Sequence, residues 1–135
     1  MKTLIICEKP SLAKIVSHAI NQLESCLFKG GYSESEHYIV VPAFGHLFGL
    51  KGINDYTGES KWALENLPFK PVKFEFKLKD NDGISKQFNL IKTLIHENRV
   101  TKIANCGDSD REGEIIIRLI LDNAKNTKPD RKSVV

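Results

Sequence analysis

The sequence predicts an α/β protein with a mostly parallel sheet flanked by helices, and three observations carry that expectation. Two short apolar runs, Lys2 to Cys7 and Val100 to Cys106, have the length of fully buried strands and sit between charged residues. Each is followed by a segment of helical spacing, as the strand-helix repeat of a parallel sheet requires. A chain of 135 residues, 41% hydrophobic and 27% charged, has room for one such core and not two.

After the first run, Pro10-Ser11 opens a helix in which Leu12, Ile15, Val16, Ala19, Ile20 and Leu23 recur at helical spacing and cover the strand just finished. Lys29-Gly30-Gly31 is a turn, and His37 to Ala43, rich in β-branched and aromatic residues, is a second strand. Ala43 to Leu47 carries a turn glycine and leads into Leu50-Lys51-Gly52. Ile53 to Leu67 has no clean period, holds Gly58 and Trp62, and closes at Pro68, so it reads as an excursion outside the main sheet. Val72 to Leu78 alternates apolar and charged residues, the pattern of an edge strand with one wet face.

Asp82 to Ser85 is a turn before a helix that sends Phe88, Ile91, Leu94 and Ile95 inward and ends at Glu97-Asn98-Arg99. From Asp110 to Lys125 a third helix follows the second buried strand. Ile115-Ile116-Ile117 has strand propensity, but the length of the segment and its acidic first turn decide for helix. Lys125 to Lys132 is polar and basic, and Ser133-Val134-Val135 reads as the opening of a further strand, so the sequence has the look of a piece of something longer.

Several classes fall away at once. No apolar run approaches the roughly 18 residues of a membrane span, and the first apolar run meets Glu8-Lys9 too early for a signal peptide, which gives a cytoplasmic expectation. Cys7, Cys26 and Cys106 are odd in number and lack C-x-x-C spacing, so they read as reduced thiols. A net charge of +3 permits contact with a polyanion without naming one. Neither a G-x-x-x-x-G-K-[ST] loop nor G-x-G-x-x-G is present, which removes P-loop and dinucleotide-binding readings.

The densest chemistry lies in Asp108-Ser109-Asp110-Arg111-Glu112-Gly113-Glu114, four carboxylates and one arginine directly after a buried strand. Such charges repel unless a cation neutralises them, and a hard divalent ion with oxygen ligands, Mg²⁺ above all, does so most directly. Asp110 alone would serve as a helix N-cap, yet capping needs one or two acids and not four. Glu8 follows the first strand as Asp108 follows the later one. In a parallel sheet the C-terminal strand ends share one edge, so the two are expected to meet. Lys9 and the helix start at Pro10-Ser11 add a cation and free N–H groups, a cradle for phosphate. His46, at a turn after a strand, can reach a phosphate or act in acid-base steps, although a lone histidine is more often only a satisfied polar group. Tyr56, Trp62 and Phe69 suit stacking on bases but more commonly pack beneath a loop. Cys7 and Cys106 end strands beside the acids, where small buried thiols outrank metal ligands.

Cys7-Glu8-Lys9-Pro10-Ser11-Leu12-Ala13, Gly45-His46-Leu47 and Asp108-Ser109-Asp110-Arg111-Glu112-Gly113-Glu114 resemble, in order and separation, the Toprim domain of type IA DNA topoisomerases, most closely the topoisomerase III branch. The resemblance spans nearly all of residues 1–135 and implies a Rossmann-like sheet between helices, with Mg²⁺ held by Asp108, Asp110 and Glu112. It places Glu8 at the cleavage site and Lys9 on the scissile phosphate; by position, Ser11 and His46 are expected on DNA or phosphate, and Arg111 either neutralises the acidic run when metal is absent or holds a phosphate oxygen. It further implies cutting of a single-stranded DNA segment by a tyrosine, strand passage and resealing without ATP, shared with the remaining topoisomerase domains. Tyr32, Tyr38 and Tyr56 do not match the tyrosine motif, so the sequence carries half an active site and is expected to be inert alone.

Two competing readings stand beside this one. A Toprim-type nuclease or primase fragment would use the same carboxylates without a tyrosine, but Gly45-His46-Leu47 and the proline-serine helix start argue against it. A receiver-like phosphoacceptor module would need an acceptor aspartate at a mid-chain strand end, and no buried run there ends in one.

Overall fold

The computed structural model describes residues 1–59, 61 and 63–132. The first apolar run is β1 (Lys2–Cys7), and a proline at the first helical position starts α1 (Pro10–Asn21). A short hairpin, β2 (Leu27–Phe28) and β3 (Ser33–Glu34), precedes β4 (Tyr38–Pro42). Then come β5 (Phe48–Leu50), α2 (Ile53–Thr57) and β6 (Phe76–Leu78). The chain continues through α3 (Asp82–His96), β7 (Val100–Cys106), α4 (Arg111–Asn123) and β8 (Asp130–Lys132).

Six strands form one sheet in the order β2-β3-β4-β1-β7-β8, parallel from β4 to β8, with the hairpin antiparallel at one edge. Because successive side chains alternate across a sheet, Leu4, Ile6, Ile39, Val41 and Ile103 face α3 and α4, whereas Ile5, Cys7 and Val40 face α1. Both faces of β1 are therefore covered, which is why its sequence is continuously apolar and not alternating. The larger core lies on the α3/α4 side, where Ile91, Leu94, Ile95, Ile116, Ile117, Ile120 and Leu121 are buried. Among the described residues, no helix is long and apolar enough to cross a membrane.

Several expectations need correction. On α1 the buried face centres on Ala13 and Ile20, which turns Ile15 and Leu23 outward at 66% and 86% exposure. The segment Asp82 to Ser85 is no separate turn but the first turn of α3, capped by Asn81 Oδ1 accepting from Ile84 N at 3.1 Å. Of Val72 to Leu78 only the last three residues are strand, and they pair with β5 in a separate two-stranded ladder. Among the described residues nothing covers Val72 or Phe74, so the alternation there finds no face to bury. The basic tail already enters β8 at Asp130, parallel to β7. Trp62 and the Ser133 to Val135 strand opening lie outside the described residues. Tyr56 and Phe69 pack on each other with ring centroids 5.4 Å apart, the loop packing expected of them.

Candidate active site at the strand ends

Parallel pairing brings Cys7 of β1 into register with Pro42 of β4 and Cys106 of β7, so all three chains leave the sheet at one edge. The exits are stitched together: Ala43 N donates to the Cys7 carbonyl at 2.7 Å and Gly45 N to the Glu8 carbonyl at 2.9 Å. Gln87 of α3 donates to the Pro42 carbonyl from the opposite face. Glu8 and the acidic run meet, as the strand-end argument requires. The Asp108 N–H donates to Glu8 Oε2 at 3.0 Å, joining residues a hundred positions apart.

The turn after β7 is built by tight packing. Gly107 N donates to Asn105 Oδ1 at 3.0 Å, and buried Asn105 in turn donates from Nδ2 to Glu114 Oε2 at 3.0 Å. A Cβ on Gly113 would lie 2.3 Å from the Asp108 carbonyl oxygen, so only glycine lets the first turn of α4 lie on this loop. Asp110 caps the helix, its Oδ1 accepting from Gly113 N at 2.6 Å, and its other oxygen takes no donor among the described residues.

The remaining acids divide. Glu112 is exposed and held by His46, with Nε2 to Oε1 at 2.8 Å. Glu114 turns away to Arg118, 3.0 Å distant, and to Asn105, and so leaves the edge. The Asp108 carboxylate is exposed and takes no donor among the described residues, while its carbonyl accepts from Lys132 Nζ at 2.8 Å. Lys9, exposed, is the residue that caps α1 and gives no side-chain cap, so the N–H groups of Ser11 and Leu12 stay without a partner among the described residues. Arg111 is exposed at the start of α4 and forms no ion pair with the acids among the described residues. The acidic run is met instead by His46 at Glu112 and by Lys132 at the Asp108 carbonyl.

For a divalent cation the donors at this edge are all oxygen, and those of Asp108 and the second oxygen of Asp110 are uncommitted, a set that suits a hard ion. Among the described residues the run does not bring three ligand atoms within 4.8 Å of one another; the trio that does is Glu24, Glu36 and His37. That trio precedes β4 at the opposite end of the sheet. Its Glu24 is spent on Ser35 and on both the backbone and ring of His37, whose hydrogen bond holds the Glu24 carboxyl down at about 2. The hydrogen bond to Cys106, reinforced by burial, pushes the Cys7 thiol up.

Sequence reasoning missed Asn105 and Lys132. The signal for Asn105 was weak, since Thr101 and Lys102 of the same strand are also polar and only Asn105 of the three is buried; Lys132 had none, since its reach to Asp108 depends on β8.

The Toprim domain family matches residues 3–135. DNA topoisomerase 3 of Staphylococcus saprophyticus is 38% identical over 133 residues, 98% of this chain. DNA topoisomerase 3 of Staphylococcus aureus (strain USA300) is 39% identical over the same length. The chain spans 18% of the length of these curated relatives.

Proposed function

Because the chain belongs to the Toprim domain family, we propose that it supplies the acidic half of the active site of a type IA DNA topoisomerase, with the attacking tyrosine coming from other domains. The observation that carries this reading is the Asp108 N–H bond to Glu8, which seats a carboxylate from one strand end against the acidic turn of its neighbour. The relatives' name and the motif spacing support the same assignment.

In this reading Asp108, Asp110 and Glu112 hold Mg²⁺, which when bound offsets phosphodiester charge during resealing. Glu8 Oε2 is engaged by the Asp108 amide, so Oε1 is the atom that gives a proton to the leaving 3′-oxygen and recovers it on religation. Lys9 and the open N–H groups of Ser11 and Leu12 bind the scissile phosphate and orient it toward Glu8. Arg111 takes a neighbouring phosphate oxygen, and His46 passes from Glu112 to phosphate. The three tyrosines lie elsewhere: Tyr38 begins β4 at the far end of the sheet, Tyr32 follows the hairpin turn, and Tyr56 hydrogen-bonds the Lys73 carbonyl.

Mg²⁺ titration watched by amide NMR tests the reading on the chain itself. Shifts are expected at Glu8 and Asp108 to Glu112, weakened in Asp110→Asn; shifts confined to Lys125 to Lys132 refute the metal assignment. In the intact enzyme, Glu8→Gln is expected to cripple oligonucleotide cleavage but leave Mg²⁺ binding nearly unchanged, whereas Asp110→Asn is expected to be partly rescued by high Mg²⁺. Equal rescue of both would make Glu8 only a further ligand. The chain alone is expected to leave supercoiled DNA unrelaxed and intact, and nicking by it would establish the nuclease alternative.

A further inference from the structure

A cavity of about 440 Å³ lies between α1 and the β2-β3-β4 side of the sheet, outside the acidic edge. Its origin is visible in the strand register. Phe28, Ser33 and Val40 are paired side by side across three strands, so a small hydroxyl sits between two large side chains. Helix α1 packs through Ala13 and Ile20 onto Ile5, Cys7 and Val40 and does not reach over the hairpin, which leaves Phe28 75% exposed.

The lining is one-sided in charge. Lys14 and His18 project from α1, exposed Phe28 supplies an aromatic face, and among the described residues no carboxylate lines the cavity. The whole of α1 has no acidic residue across its 12 positions. The lining includes Pro10 and Pro42, the residues that follow Lys9 and pair with Cys7, so the trough borders the strand ends that carry Glu8. A flat apolar face beside a lysine and an imidazole suits a ligand that alternates planar bases with phosphates, and stacking on an aromatic ring needs no particular base.

We propose that this trough binds a nucleotide of the single strand entering the acidic edge, with a base against Phe28 and the flanking phosphates on Lys14 and His18. The inference rests on the reading that the edge handles single-stranded DNA, and it adds a subsite that holds the strand away from the chemistry.

The test uses the chain and two labelled eight-nucleotide probes at low salt, oligothymidylate and an abasic strand of equal length, read by fluorescence anisotropy. Wild type is expected to prefer oligothymidylate by about fivefold or more, and Phe28→Ala to erase that preference while leaving abasic affinity unchanged. Lys14→Gln should weaken both probes and reduce the salt dependence by about one phosphate contact. Phe28 is exposed, so the variant keeps its fold, which an amide spectrum verifies. Equal affinity for the two probes, an unaltered preference in Phe28→Ala, or no binding up to about 1 mM probe overturns the proposal. Loss of binding in Lys9→Gln with a silent Phe28→Ala retains the acidic-edge reading and removes the trough. A silent Mg²⁺ titration with a Phe28-dependent preference does the reverse. A concentration-dependent dimer abolished by Phe28→Ala would assign the trough to a second copy and likewise overturn the proposal.

Discussion

Replacing Gly113 by alanine is the sharpest probe of how the acidic turn is held. The added Cβ would sit 2.3 Å from the Asp108 carbonyl oxygen and 2.5 Å from its nitrogen. Carbon-oxygen contacts ordinarily begin at about 3.3 Å, so the loop and helix must part by about 1 Å. That displacement takes the Asp108 N–H beyond bonding range of Glu8 and pulls Gly113 N from its cap on Asp110. A hydrogen bond to a carboxylate is worth about 1.5 kcal/mol at the lower end and the cap about 1 kcal/mol, against a helix-propensity gain for alanine below about 1 kcal/mol. The expected net loss is about 2 kcal/mol, or roughly 6–10 °C in melting temperature for a domain of this size. Gly52→Ala serves as control, because its Cβ would meet nothing closer than 3.8 Å and should cost less than about 0.5 kcal/mol. Urea unfolding and the Asp108 amide resonance are the readouts. A Gly113→Ala protein that unfolds with wild type and keeps that resonance in place would refute the packing argument.

Three further outcomes follow from the same geometry. Asp110→Ala should lose about 1 kcal/mol of stability through the lost cap, whereas Asp110→Asn, which can still accept from Gly113 N, should match wild type in urea while binding Mg²⁺ less well. Burial opposes ionisation of Glu34, but Lys29, Lys2 and Arg99 outweigh it and hold the carboxyl at about 2. Because that folded value is depressed, Glu34 stabilises the protein above about pH 4.5 and loses its contribution as pH falls toward 2, up to about 3 kcal/mol. Glu34→Gln should therefore be less stable than wild type at pH 6 and nearly equal to it close to pH 2, and a constant gap in urea midpoints would contradict this. In thiol-labelling at pH 8, half-buried Cys26 should react in the native state while buried Cys7 waits for unfolding; prompt labelling of both would contradict the protonated, enclosed Cys7.

What could be read in advance followed the strength of local periodicity. Val100 to Cys106 and the helix after it were legible because buried strands and amphipathic helices declare themselves in composition, and the meeting of Glu8 with Asp108 followed from parallel topology alone. The two-residue strands of the β2-β3 hairpin left no such trace, since their order comes from pairing onto β4 and not from their own pattern. The alternation of Val72 to Leu78 misled because period two reports a possible face and says nothing of whether another layer exists to cover it. Within the acidic run, spacing could not distinguish Glu112, which stays at the edge, from Glu114, which Asn105 and Arg118 draw away. That division is decided by partners from other elements.

The position of β1 in the middle of the sheet bears on how the chain is made. One flank closes when β4 appears, but the other waits for β7, whose last residue comes 64 positions after Pro42. At synthesis rates of about 5–20 residues per second, the central strand stands half-paired for roughly 3–13 s, with bare N–H and C=O groups on an apolar ribbon. A slow codon stretch within the intervening excursion would lengthen that exposure, so translation speed through residues 43–99 should influence how much newly made protein escapes aggregation.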